Sequence, residues 1–114
     1  MQNNSLNSLI VVGCLDINEK YVIKLDAKID ERELFTSAQL YHNVKNIPTN
    51  EPRYIVIENI ENITFEEQQK FNRLLKDRRI GTYKLPKNIS VIILVKEIHV
   101  IAPNLKKLCL IWKE

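Results

Sequence analysis

Glycine is nearly absent from this chain: its 114 residues contain two, Gly13 and Gly81. A phosphate-wrapping loop of the Gly-x-x-x-x-Gly-Lys-Ser/Thr kind needs glycines so that backbone N–H groups can close on an anion, and no such run exists here. Cysteine is as scarce, with Cys14 and Cys109 alone. Both fall in apolar, strand-like runs, so they are expected to be buried free thiols of a reducing, cytoplasmic compartment. His42 and His99 stand at no recognised ligand spacing from them, so no metal site is expected. No apolar run approaches the roughly 18 residues that span a bilayer. The opening Met1-Gln2-Asn3-Asn4-Ser5 lacks a basic and then an apolar region, so neither a signal peptide nor a membrane contact is expected. A strong excess of one charge is missing too. Lys+Arg number 17 against 14 Asp+Glu, a net charge of +3 that does not by itself argue for nucleic acid.

What is present is the composition of a globular domain, 45% hydrophobic and 27% charged. The chain reads as a single α/β domain over residues 1–114. A chain of this length buries roughly 65% of its unfolded surface, so its core needs no staple.

Ser8–Cys14 (SLIVVGC) is a continuous apolar run, expected as a strand buried on both faces. Tyr21–Asp26 (YVIKLD) is a second strand. The link between them is too short for a helical crossover, so an antiparallel hairpin is the local expectation. Asp30 then caps an amphipathic helix over Glu31–Lys45, with Leu34, Phe35, Ala38 and Tyr41 at helical spacing. Arg53–Glu58 (RYIVIE) is the strongest strand. Thr64 and Glu67 form a capping box for a second helix, whose apolar stripe is Phe71, Leu74 and Leu75 and whose end is set by Gly81. Thr82–Lys87 is a short extended segment broken at Pro86, Ile89–Val95 an apolar strand, and Leu108–Ile111 a last one. Apolar strands separated by amphipathic helices predict a small, mainly parallel sheet of about five strands with two main helices and an N-terminal hairpin.

Residues Tyr54–Ile93 read YIVIENIENITFEEQQKFNRLLKDRRIGTYKLPKNISVII. This segment resembles the middle of the nucleotide-binding domain of AAA+ ATPases, closest in flavour to the clamp-loader and helicase-loader branch. In that family an apolar strand ends in an Asp-Glu pair, the Walker B motif. A capped helix with paired leucines, a basic turn and a Leu-Pro loop follow in many members. An apolar strand ending in a polar sensor residue and a proline-containing loop then lead to an arginine finger and the last strand. The likeness covers about residues 53–112. The departures fall on the chemistry. The phosphate loop is missing. Glu58 and Asn59 stand at the Walker B-like positions, Lys96 at the sensor-like position, and Lys106 and Lys107 where an arginine finger would be. Asn cannot take a proton from water, and Lys does not replace a bidentate guanidinium. The resemblance thus implies a degenerate domain that keeps the scaffold without the catalyst, needs no cofactor, and is not an enzyme.

Glu58, Asn59 and Glu61 follow a buried strand, either as solvated loop residues or as a repurposed binding edge. Lys76, Arg78, Arg79, Lys84 and Lys87 gather around a helix end and its loop. They read as dipole compensation and solubility, or as an anion or nucleic-acid contact. Tyr83 is the one aromatic among them, too few for a base-stacking platform. His99 reads as packing or surface, and Trp112 as a partly buried closing residue.

Three functions follow as expectations. The first is a protein-interaction or regulatory domain acting on an AAA+ ATPase of DNA replication or remodelling, or on copies of itself. The second is a nucleic-acid-binding accessory domain using the Lys76–Lys87 region. The third is a small interaction protein of unrelated kind. The missing first crossover helix predicts an under-covered sheet face and a homodimer or partner over Leu9, Val11 and Val22.

Overall fold

A computed structural model of the chain describes residues 8–36, 48 and 50–113. Five strands, β1 (Ser8–Val12), β2 (Val22–Asp26), β3 (Arg53–Glu58), β6 (Ile89–Val95) and β7 (Leu110–Lys113), form one sheet in the order β2-β3-β6-β1-β7. Every pairing in it is parallel. Between β3 and β6 a short antiparallel pair, β4 (Arg79–Ile80) and β5 (Tyr83–Lys84), makes a separate hairpin. The strands are apolar on both faces because both faces are covered. Ile10, Ile55, Ile57, Val91 and Ile93 point into the main core, while Val11, Val56 and Ile92 point the other way into a second, smaller cluster.

The N-terminal hairpin does not form. β1 and β2 lie on opposite sides of β6 and β3 and run in the same direction. The link is too short for a helical crossover, and a helix is not required. Moving three strands sideways and one strand back covers a diagonal of roughly 22 Å at strand spacings of about 4.8 Å. Residues 13–21 lack regular structure except for a 3-10 turn at Glu19–Tyr21. A stretch of that length reaches about 30 Å. It crosses the sheet as a strap, with Leu15 and Ile17 packed on Val11, Val56 and Ile92. The other crossovers advance in the opposite direction and pack on the opposite face, as crossovers of a single hand require.

The first helix, α1, spans Glu31–Thr36. Asp30 caps it, its Oδ1 accepting from Arg32 N at 2.8 Å. The rest of the helix expected there, with Ala38 and Tyr41, lies outside the described residues. The helix after Thr64 is present but interrupted: α2 (Phe65–Gln68), a 3-10 turn (Gln69–Phe71) and α3 (Asn72–Lys76). Its capping box is complete, with Glu67 N donating to Thr64 Oγ1 at 3.1 Å and Thr64 N to Glu67 Oε1 at 3.0 Å. The 3-10 turn stacks residues three apart, so Gln68 and Phe71 are both fully buried, and Leu74 and Leu75 continue the stripe.

Gly81 does not end this helix. Arg78, at φ 54°, takes the left-handed position just after it, while Gly81, at φ 60°, serves the turn of the β4–β5 hairpin. A last helix, α4 (Pro103–Lys106), precedes β7, which begins two residues later than expected. Among the described residues no helix is long and apolar enough to cross a membrane.

Candidate functional site

In an open parallel sheet, ligands bind outside the carboxyl ends of the strands, where neighbouring connections leave in opposite directions. Here that point lies between β1, whose chain departs toward β2, and β6, whose chain departs toward β7. A cleft of about 390 Å³ occupies it, lined by Gly13, Glu58, Asn59, Glu61, Leu94, Val95, Lys96, Glu97 and Val100. Glu58, Asn59 and Glu61, which follow β3, and Lys96, which follows β6, therefore meet in one place.

The backbone closes the cleft floor. Gly13 N donates to Val95 O at 2.9 Å, tying the ends of β1 and β6. Gly13 sits at φ 122°, a region that a side chain would disfavour. Asn59 sits at φ 67°, in the left-handed conformation that Asn tolerates better than most residues. Its side chain is already engaged, with Nδ2 donating to Asp26 Oδ2 at 3.0 Å. Asp26 Oδ1 accepts from Lys28 N at 2.8 Å. The Lys28 amide first, and the Asn59 amide second, hold the Asp26 carboxyl below its ordinary range.

The cleft carries three carboxylates, Glu58, Glu61 and Glu97, against one ammonium, Lys96. Glu97 also reaches His99, Nε2 to Oε2 3.2 Å, on the surface. This balance repels a polyphosphate at close range. Among the described residues no Ser, Thr or Cys lines the cleft. Among the described residues no three His, Cys, Asp or Glu side chains converge as metal ligands would.

The other candidates lie at the far end of the sheet. Ser8 Oγ, at the start of β1, donates to Leu75 O at 3.1 Å, which places the end of α3 at the amino ends of the strands. Lys76 ends α3, Arg79 and Lys84 lie on the β4–β5 hairpin, Lys87 precedes β6, and Lys106 and Lys107 precede the amino end of β7. Neither lysine of the arginine-finger-like pair lines the cleft. Arg78 is half-buried and its guanidinium is turned inward. Its Nη2 donates to Pro86 O and Ile89 O, both at 2.7 Å, and burial lowers its pKa.

The predicted interface residues are also placed differently. Val11 is buried, and Leu9 and Val22 are half-buried against the strap cluster. Cys14 is exposed, whereas Cys109 is buried as expected. Trp112, expected to be partly buried, is 62% exposed.

Sequence reasoning missed Gln68. Fully buried, it donates from Nε2 to Val100 O at 2.8 Å, and its Oε1 accepts from Ala102 N at 2.8 Å. It braces the β6–α4 loop, one wall of the cleft. The available signal was an amide three residues ahead of Phe71 on the apolar stripe.

Comparison with family models and with curated proteins finds no match to this chain.

Proposed function

We propose that this chain is a non-hydrolysing, AAA+-like protein-interaction domain. By resemblance, its partner class is an AAA+ ATPase of DNA replication or remodelling, whose activity it modulates. One observation carries the reading: β1 leaves the carboxyl-end cleft through Gly13 into a strap rather than into a phosphate loop and helix. A helix N-terminus supplies the free N–H groups and positive potential that a phosphate needs, and this exit provides none. The acid-rich lining works in the same direction. Without a cradle for the nucleotide, the remaining scaffold acts through its surfaces.

Isothermal titration of the chain with ATP and Mg²⁺ tests this. The expected result is no binding heat at millimolar nucleotide and no phosphate release. Micromolar binding, or turnover, overturns the reading.

A further inference from the structure

Six of the chain's 17 cations fall within residues 73–87, with one of its 14 carboxylates, Asp77, so this stretch supplies the whole positive excess and the remainder is net negative. The β4–β5 hairpin arranges these charges. Its register sets Arg79 opposite Lys84 and Ile80 opposite Tyr83, and one pair further on Leu85 N donates to Arg78 O at 2.7 Å. Facing residues of an antiparallel pair share a side, and the sides alternate along each strand. The inward side takes Ile80 and Leu85, both buried, Tyr83, packed on the main core, and the Arg78 guanidinium, bonded to the Pro86 and Ile89 carbonyls. The outward side is left with Arg79 and Lys84, both exposed and directly opposed. Arg79 Nη1 donates to Thr82 O at 3.3 Å across the turn. Lys76, also exposed, ends α3, the helix against which β4 packs.

Like charges directly opposite one another oppose strand pairing. Among the described residues the ion pairs lie elsewhere, at Lys24–Glu19, Arg53–Glu51 and His99–Glu97. Residues 1–7, 37–47 and 49 contain no Asp or Glu. Glu114 follows β7 at the carboxyl end of the sheet, whereas the hairpin stands at the amino end, where Arg78 meets the first residue of β6. β4 also packs against α1, on which Glu31 and Glu33 flank Arg32. Glu31 faces Lys70 in a separate cleft. Asp77 and Glu33 are therefore the acids to set against Lys76, Arg79 and Lys84, with Arg73 and Lys87 exposed nearby in contacts of their own. No large apolar side chain is exposed on residues 72–88.

We propose that the outward side of the β4–β5 hairpin, together with Lys76, holds the phosphate backbone of a nucleic-acid duplex. A protein partner needs an apolar anchor at the centre of its interface, and this surface offers none. Nucleic-acid interfaces are instead polar and strongly positive. A single strand needs an aromatic platform for its bases, and Tyr83, the aromatic of the hairpin, packs on the core. The contact is with phosphates alone, so it positions a duplex and reads no sequence. Buried Ile80 and Leu85, with the Arg78 clamp, hold the ribbon in place before the ligand arrives. The surface lies at the opposite end of the sheet from the carboxyl-end cleft, so this ligand adds to the interaction reading and does not draw on the cleft.

The probe is a fluorescent DNA duplex of about 20 base pairs, followed by anisotropy as the full chain is titrated in at about 50 and about 200 mM salt. Three phosphate contacts give a log–log salt slope of about −2.7, so affinity is expected to fall roughly fortyfold between the two salts. In the double variant Arg79→Ala, Lys84→Ala one contact remains, and the fall shrinks to roughly fourfold. The control Lys20→Ala, Lys24→Ala removes the same charge from exposed positions on the strap and on β2 and keeps the fortyfold fall. A scrambled duplex binds as well as the original. An RNA duplex of the same sequence separates the two sources of phosphate, the tighter binder being the one the surface takes. No binding at the lower salt overturns the proposal, as do equal salt dependences in the two double variants or a tighter hold on the single strand. Displacement by polyglutamate as effective as by unlabelled duplex assigns the surface to an acidic protein and also overturns it.

Discussion

Asn59 is held by Asp26, its Nδ2 donating to the Asp26 Oδ2 across 3.0 Å, so this residue fastens the end of β2 to the end of β3. The Ala27 N to Glu58 O bond at 2.8 Å runs beside it. The Asn59 side chain is employed in closing the sheet.

Removing that contact has a signed pH consequence. The Asp26 pKa lies below its ordinary 3.8, because the Lys28 amide and then the Asn59 amide stabilise the carboxylate. A depressed carboxyl contributes stability above its unfolded pKa and loses it as pH falls through the folded value. Asn59→Ala therefore raises the Asp26 pKa and moves acid unfolding to higher pH. Carboxyl NMR titration of Asp26 checks the first effect, and unfolding followed between neutral and acidic pH checks the second. An unchanged Asp26 titration sinks the assignment.

Gln68 gives a larger effect. Replacing it with Leu leaves the Ala102 N–H and the Val100 carbonyl without their partner in a buried place. Each buried group left unpaired costs about 1–3 kcal/mol. Gln68→Leu is expected to lower urea stability by several times the loss seen in Gln69→Ala, whose Asn104 partner is exposed to water. Equal losses in the two variants contradict the brace.

Much of this fold was legible because strand hydrophobicity and helix caps are local properties. The runs at Ser8, Arg53 and Ile89 announce buried strands, and Thr64 with Glu67 announces a helix start, before any partner is known. Pairing is not local. The 13–21 link suits a tight hairpin or a strap equally, and only the strands inserted later, β3 and β6, decide between them. Positive φ at Arg78 was invisible because Gly81, three residues on, offered the cheaper left-handed residue. The cleft was half visible. Glu58, Asn59, Glu61 and Lys96 follow apolar strands, where parallel sheets place sites, whereas Gly13 and Glu97 join them through the topology.

Arg78 and Gly81 test that exchange of roles. Lys at position 78 offers a compact ammonium in place of a planar fork and cannot reproduce both bonds of Nη2, to Pro86 O and Ile89 O. A hydrogen bond from a charged group contributes about 1.5–3 kcal/mol, so Arg78→Lys is expected to cost about that much. Gly81→Ala places a Cβ at φ 60° and is expected to cost about 1–2 kcal/mol. Chemical denaturation of the two variants measures both. A neutral Arg78→Lys shows that the guanidinium is ordinary surface charge.

The two cysteines are expected to separate cleanly in reactivity. Cys14 is exposed, while Cys109 is buried and its pKa is pushed up from 9.0 to about 12 by the loss of solvent. Only the thiolate attacks a disulfide reagent, so in the folded chain at mildly alkaline pH Cys14 reacts at once and Cys109 does not. The same shift fixes a pH trend. The unfolded chain loses the Cys109 proton near its ordinary pKa while the folded chain keeps it, so the folded state binds more protons and stability falls as pH rises from about 9 toward 12. Cys109→Ser removes the trend only if its hydroxyl is tolerated, so Cys109→Ala is the safer comparison. The measurement is titration with a chromogenic disulfide, native and then in denaturant, with one thiol expected in the first step and the second on unfolding. Two thiols reacting at equal rates in the native chain would show that β7 and the segment leading into it open far more readily than the packing of Cys109 requires.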